Sequence, residues 1–403
     1  MKYLVIVPDG CADRPIPSLG GKTPLEVADI KHIDGLAGRG EVGMVRTIPE
    51  GIEPGSDAAN LSIMGYDPAV YLTGRASLEA AGLGIDLSPM DVAFRVNFIT
   101  VEGSGNYEDL LIKDHSAGEI SSEEAETLIE VIDRQLGSEE VAFYPGVSYR
   151  CLLVTANFSA HTQLTPPHDV LGQKVGPNMP KGEGAEPLRV LLSRSYEILK
   201  AHPVNRQRVK RGLNPANSIW LWGQGTKPRL PLFADKYGLT GSVISGVNLI
   251  KGIGVCAGLS SVNVPGADGT LQTNYEGKAL AAIDEFRKGR EFVYIHVEAP
   301  DECAHNGDLQ GKVKSLELID EKIVKSVTAY LAGLGEPYRI LVVPDHRTPM
   351  EIRTHSAEPV PFVLFDSENV RPVEGGRVFT ELSGEGGSYR MASGCALANT
   401  FFR

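Results

Sequence analysis

Asp9, Asp301 and Asp345, with His305, His346 and His355, are residue types that hold divalent cations, and each group follows an apolar run that reads as a strand. Tyr3 to Val7 leads into Asp9-Gly10. The run near 295 leads into Glu298-Ala299-Pro300-Asp301-Glu302-Cys303-Ala304-His305, and the run near 341 into Pro344-Asp345-His346, with His355 nine residues further on. Ligands of open α/β sheets gather at the carboxyl ends of strands, so these distant residues can converge on one site. Asp301 and His305 are four apart, which puts both on one face if that turn is helical. Mixed imidazole and carboxylate donors suit Mn²⁺, Zn²⁺ or Fe better than Ca²⁺. Taken singly, Asp9-Gly10 is an ordinary turn and Asp301 or Asp345 an ordinary helix cap. Three Asp and three His at strand ends are hard to assemble by accident.

A nucleophile is supplied by Glu53-Pro54-Gly55-Ser56-Asp57-Ala58-Ala59-Asn60, where Pro and Gly force a turn and Ser56-Asp57 opens a helix reaching about Gly65. A serine there is either a cap or a hydroxyl activated by a helix N-terminus and a metal for attack on a phosphoryl group. No G-x-S-x-G elbow occurs, which disfavours a hydrolase triad.

The elements that must position these groups are short, nearly continuous apolar strands: Tyr3 to Val7, Phe292 to Val297, Arg339 to Val343 and Pro361 to Phe365. Strands without polar alternation are buried on both faces, as in an α/β sheet covered by helices. Helical spacing spans Pro24 to Ala37 and Val313 to Leu331. The middle differs in texture: strand-like Val92 to Thr100, Tyr149 to Val154 and Ser218 to Trp222, a polar helix from Ser121 to Leu136, and a Pro- and Gly-rich loop from Thr165 to Pro187. The expected organisation is a core of residues 1–90 and 281–403 with a smaller α/β domain, 91–280, inserted into it.

The chain has 403 residues, 42% hydrophobic and 22% charged, as in a globular protein of two or three domains. With 39 basic against 51 acidic residues and no dense Lys/Arg cluster, nucleic acid is not an expected partner. No apolar stretch is long enough for a membrane span, and the first residues read as a strand rather than a signal peptide. Five scattered cysteines without a C-x-x-C pair indicate reduced thiols and a cytoplasmic enzyme. His296 reads as a satisfied core histidine, Cys303 as a small buried thiol, and Trp220 and Trp222 as packing.

Asp9-Gly10, Pro54-Gly55-Ser56-Asp57, Tyr66-Asp67-Pro68, Thr73-Gly74-Arg75, Val297-Glu298-Ala299-Pro300-Asp301 and Pro344-Asp345-His346 resemble the archaeal-type cofactor-independent phosphoglycerate mutases of the alkaline phosphatase superfamily, over essentially the whole chain. The resemblance implies an alkaline-phosphatase-like α/β core, a mostly parallel sheet between helices, with an inserted cap. It further implies Ser56 as the phosphorylated nucleophile, one metal on Asp9, Ser56, Asp345 and His346, and a second on Asp301, His305 and His355. The two ions would be Mn²⁺ first, with Zn²⁺, Co²⁺ or Mg²⁺ able to substitute, and no 2,3-bisphosphoglycerate. The reaction would be interconversion of 3- and 2-phosphoglycerate, a step of glycolysis and gluconeogenesis, on a small phosphorylated metabolite. The inserted domain would supply Arg150, His168, Asp169, Lys227 and Lys251 to that substrate. Lys113-Asp114-His115-Ser116-Ala117-Gly118-Glu119-Ile120 is less arginine-rich than in established archaeal mutases. The chain is also similar to a bacterial branch proposed to act on homoserine, so phosphoryl transfer to homoserine or phosphomonoester hydrolysis are the alternatives. Neither a Walker A sequence nor a kinase glycine loop is present. A catalytically dead metabolite-binding regulator would be free to lose a ligand, and the intact set argues against one.

Overall fold

A computed structural model describes residues 1–372 and 377–403, which form two compact units, residues 1–72 with 229–403, and residues 73–228. The first holds, among the described residues, an eight-stranded sheet whose centre is Lys2–Pro8 between Phe292–Val297 and Tyr338–Val342, all parallel. Gly241–Ile244 and Ser260–Val262 extend it in parallel on one side. Val360–Asp366 is antiparallel to Tyr338–Val342, and Glu41–Val45 and Tyr389–Met391 follow. The central strands are buried along almost their whole length, as their unbroken apolar sequence requires. Leu4, Ile6, Val293, Ile295 and Val342 pack against Ile33, Leu36, Phe286, Ile323 and Val327 from the covering helices. Each such side chain contributes roughly 1.5–3 kcal/mol of burial.

Two helices differ from the sequence pattern. Pro24 to Ala37 is two helices, Pro24–Val27 closed by a Thr23/Glu26 capping box and Lys31–Ala37, because Ala28 turns to an extended conformation. The first amides of the second, at His32 and Ile33, donate to Asp320. Asp320 lies in a π-helical segment, Ile319–Val324, that interrupts the long pattern between Leu309–Leu318 and Lys325–Gly333.

The second unit is an antiparallel sheet in which Val92–Glu102 pairs with Leu111–Asp114, Arg150–Thr155 and Ser218–Thr226, and Val141–Val147 adds to Arg150–Thr155. Phe94, Val96 and Phe98 pack with Leu128 and Ile132 of helix Ser122–Leu136 and Leu188 and Leu192 of helix Ala185–Leu199. The boundaries expected near 90 and 281 lie at 72/73 and 228/229 instead. The reason is Gly241–Ile244: this short strand pairs with Phe292–Val297 and so ties residues 229–280 to the first unit. The Pro- and Gly-rich stretch contains two short helical turns, Pro167–Val170 and Val175–Asn178.

Candidate active site

Three parallel strands of the first unit deliver their following residues to one place. Asp9 and Asp345 follow Lys2–Pro8 and Tyr338–Val342, while Asp301 and His305 sit on one short helix, Ala299–His305, after Phe292–Val297. Gly10 has φ +60°, and a Cβ there would lie 2.5 Å from both Asp301 Oδ1 and Thr348 Oγ1, so only glycine lets the loops close. Its N–H donates to Asp345 Oδ1 at 3.1 Å.

Around His346 Nε2 converge Ser56 Oγ at 3.1 Å, Asp9 Oδ1 at 3.5 Å and Asp345 Oδ2 at 3.5 Å. Beside this group, Asp301 Oδ2 is 3.1 Å from His305 Nε2, Asp301 Oδ1 is 3.6 Å from His355 Nε2, and the two Nε2 atoms are 3.1 Å apart. The His346 and His355 rings lie 4.1 Å apart, and ligand atoms of Asp301, His346 and His355 also fall within 4.8 Å of one another. The two groups therefore adjoin at His346.

Ser56 opens helix Ser56–Ile63 as its first residue; Gly55 is the N-cap and caps with no side chain. The serine hydroxyl meets His346 rather than the helix amides, which removes the capping reading. The helix end adds partial positive charge beside the hydroxyl.

The donor set fits divalent cations. His305 Nδ1 lies 2.9 Å from Arg353 O and His355 Nδ1 3.4 Å from Pro54 O. Carbonyls only accept, so both Nδ1 atoms carry hydrogen and both Nε2 atoms present lone pairs to each other and to Asp301. Such a face needs a cation or a proton. Burial lowers the basicity of His305, but the hydrogen bond and charge of Asp301 more than offset it and push the imidazole up to about 9. Burial would raise Asp301, yet where a proton sits on Nε2 of His305 or His355 its hydrogen bond holds the carboxylate well below the usual range. Asp9 is pushed well above that range by burial, then by Asp345 and Asp301, and its Oδ1 is buried with no hydrogen-bond partner among the described residues. A cation at each group would relieve both conflicts.

A cation held at His305 Nε2 would compete there with a proton. Because the pKa is raised from its ordinary value to about 9, cation affinity should climb as pH rises toward 9. Calorimetry in buffers of differing ionisation enthalpy should show about one proton released per chain at about pH 7.5, and proton-neutral binding would contradict the assignment.

Several supporting residues escaped the sequence reading. Asn60 donates from Nδ2 to Asp345 Oδ2 at 2.9 Å and to Ser56 O at 2.8 Å, and accepts from Tyr294 OH at 2.5 Å. Its position one helical turn after Ser56 was the available signal. Thr348 donates to Asp301 Oδ1 at 2.5 Å and lies 3.2 Å from His346 Nδ1, thereby linking the two groups. His296 is in the core, as expected, yet its Nε2 stands 2.9 Å from Asp9 Oδ2. Burial pulls it down to about 4, so the ring is neutral.

The loop bearing His346 is held by a buried ion pair, Lys312 Nζ to Asp13 Oδ2 at 2.7 Å. The same amine donates to Thr348 O at 2.8 Å, and Arg347 Nη1 donates to Asp13 O at 2.9 Å. Asp13→Ala strands a buried ammonium, so urea unfolding should show a loss of about 3–5 kcal/mol. A loss below about 1 kcal/mol would mean the pair is dispensable.

The five residues expected to meet substrate are not in one unit. Arg150, His168, Asp169 and Lys227 belong to residues 73–228, whereas Lys251 lies on helix Asn248–Cys256 of the first unit, correcting its placement in the inserted domain. Lys251 Nζ donates to Asn263 Oδ1 at 3.0 Å, and burial lowers its pKa. Lys227 pairs with Asp86 at 2.7 Å on the surface. His168 is 3.7 Å from Asp169 Oδ1, and its ring stands 5.3 Å from Trp222 and 6.2 Å from His115. Arg95 lies 4.3 Å over Trp222, with Nε 3.1 Å from Glu79 Oε2, and Arg150 lies 4.8 Å over Tyr149. Burial pulls Arg95 down to about 10; Glu79 opposes this, and nearby Arg75 and Arg150 add to it. This unit thus gathers Arg75, Arg95 and Arg150, the first two paired with Glu79, beside His115, His168, Tyr149 and Trp222. Trp222 pairs with Arg95 in strand register and donates to Asn97 Oδ1 at 2.9 Å, so it belongs to that cluster as well as to the packing. The polar alternation of Arg95 and Asn97 within Val92–Glu102 was the missed signal.

Residues 37–205 match the family model of 2,3-bisphosphoglycerate-independent phosphoglycerate mutase. A Methanosarcina acetivorans protein of that name is 48% identical over 96% of both chains. A Geobacter sulfurreducens protein, named a probable mutase of this kind, is 50% identical over 91% of both. The solved cofactor-independent phosphoglycerate mutase from Thermoplasma acidophilum superposes with a TM-score of 0.66 at 29% identity, covering 100% of this chain and 99% of that one. A Pyrococcus horikoshii structure gives 0.81 at 29% identity, covering 99% and 96%. With this identity across nearly its full length, the chain belongs to the 2,3-bisphosphoglycerate-independent phosphoglycerate mutase family.

Proposed function

We propose that the protein interconverts 3-phosphoglycerate and 2-phosphoglycerate through a phosphoserine at Ser56, without a bisphosphate cofactor. The observation that carries this is the meeting of Ser56 Oγ with Asp9 and Asp345 around His346 Nε2, beside Asp301, His305 and His355. Asp9, Ser56, Asp345 and His346 would hold one divalent cation and Asp301, His305 and His355 a second, Mn²⁺ being the first choice for these donors. When bound, the cations supply positive charge against phosphoryl oxygens and lower the pKa of a serine hydroxyl.

Ser56 Oγ attacks phosphorus in line, its own proton leaves, the ester bond to glycerate breaks and the freed glycerate oxygen takes up a proton. The glycerate is retained and turns. Its other hydroxyl then attacks the phosphoserine, that hydroxyl's proton leaves, and Ser56 recovers one as the leaving group. Asn60 and the helix N-terminus hold Ser56 and Asp345 through both steps. Water must be kept out, since its attack on the phosphoserine yields inorganic phosphate. Within the second unit, Arg75, Arg95 and Arg150 carry the kind of positive charge that an anionic substrate requires. Five free thiols and no helix among the described residues long and apolar enough to cross a membrane support a cytoplasmic setting.

Homoserine phosphorylation is not favoured, because the curated relatives at 48% and 50% identity carry the mutase name. The test is NMR of quenched reactions of the metal-loaded protein offered 3-phosphoglycerate alone or homoserine with ATP. Formation of 2-phosphoglycerate is expected; phosphohomoserine, or inorganic phosphate alone, would overturn the assignment.

A further inference from the structure

His296 is 1% exposed within strand Phe292–Val297, belongs to neither ligand group, and has no part in the phosphoryl transfer described above. Its ring nevertheless spans two neighbouring chain segments. Nδ1 is 3.2 Å from Ser245 Oγ, just beyond the parallel strand Gly241–Ile244. Nε2 is 2.9 Å from Asp9 Oδ2, just beyond the parallel strand Lys2–Pro8, whose Val7 is in register with His296. Sheet register sets Ser245 beside His296 on one side and Val7 on the other, and the Asp9 side chain, two residues beyond Val7, reaches back to the ring.

The protons in this row are determined by the partners. Ser245 Oγ accepts the Val247 N–H at 3.0 Å, and its own hydroxyl proton has Nδ1 within reach. With Nδ1 accepting that proton, the ring carries its hydrogen on Nε2, facing the Asp9 carboxylate. Among the described residues Nε2 makes no hydrogen bond that meets full alignment, and the 2.9 Å approach to Asp9 Oδ2 is its polar contact. The oxygens of Asp9 are thereby divided: Oδ2 faces His296, while Oδ1 stands among the ligand atoms, 3.5 Å from His346 Nε2.

We infer that Ser245 and His296 form a positioning relay that turns Asp9 Oδ1 toward the cation of the Ser56 group by holding Oδ2 with the His296 Nε2–H. Partners of this kind behind a metal-binding carboxylate are worth about 10–100-fold in affinity. The inference rests on Asp9 being a cation ligand, and the experiment separates the two claims.

Co²⁺ binding to the purified full chain is followed by visible absorption and chelator competition for the wild type, Asp9→Asn, His296→Leu, His296→Gln and Ser245→Ala. His296→Leu should weaken one of the two sites about 10–100-fold and change its absorption. His296→Gln, whose amide can place an N–H near the Nε2 position, should stay within about threefold of wild type, with Ser245→Ala between them. The ¹⁵N shifts of His296 should show a protonated Nε2 and a bare Nδ1. Wild-type Co²⁺ affinity at both sites in folded His296→Leu, or a proton on Nδ1, would overturn the relay. If His296→Leu does not fold, His296→Gln and the ¹⁵N shifts decide. Undiminished Co²⁺ binding by Asp9→Asn would instead remove the underlying ligand assignment.

Discussion

Ser56→Ala is expected to lower turnover of 3-phosphoglycerate by a factor on the order of 10⁴–10⁶ while leaving the fold intact, the size of effect seen when a covalent nucleophile is deleted. The hydroxyl's position carries this expectation. It is buried, 3.1 Å from His346 Nε2, and its loss leaves Asp9 and Asp345 in place. The neighbouring cap is the backbone of Gly55, so no capping bond is lost and thermal unfolding should shift by less than about 1 kcal/mol in stability. Steady-state assays beside circular dichroism melting make the check. Activity within about tenfold of wild type would remove Ser56 as the nucleophile, whatever its contacts.

The second large effect is expected from His305→Ala and His355→Ala. Each removes one of two imidazoles whose Nε2 atoms stand 3.1 Å apart against Asp301. The remaining pair cannot close a site around a cation, so metal analysis should find the content falling from two ions per chain to one. Turnover should fall on the order of 10³-fold or more, because charge stabilisation fixed in place before reaction is the larger part of catalysis in such sites. His346 shares its surroundings with both groups, and His346→Ala should therefore cost both ions. Unchanged stoichiometry in the His305 and His355 variants would refute the grouping.

Much of this site was legible in the sequence because its members are local events at strand ends. Asp9, Asp345 and His346 directly follow apolar runs, and the spacing of Asp301 and His305 matches one helical turn. The same locality made Phe292–Val297 and Ser122–Leu136 readable almost to the residue. What could not be read depends on sheet order. Gly241–Ile244 is four residues long, too short to advertise that it extends the first sheet, so residues 229–280 and Lys251 were assigned to the wrong unit. The contact of His296 with Asp9 and the support of Asp345 by Asn60 likewise come from elements brought together by folding. Arg95 and Asn97 had a local sign, the alternation within Val92–Glu102, but its meaning needed the opposing Trp222. Tertiary capping by Asp320 and the π-helical segment that carries it leave no trace in hydrophobic periodicity.

The most direct test of the phosphoserine mechanism is rapid quenching of the metal-loaded protein during turnover of ³²P-labelled 3-phosphoglycerate, with no bisphosphate added, followed by peptide mapping. The mechanism predicts labelled 2-phosphoglycerate, little labelled inorganic phosphate, and transient label on the peptide containing Ser56. Turnover that begins only when 2,3-bisphosphoglycerate is supplied, or that proceeds with Ser56 unlabelled at every quench time, would contradict it.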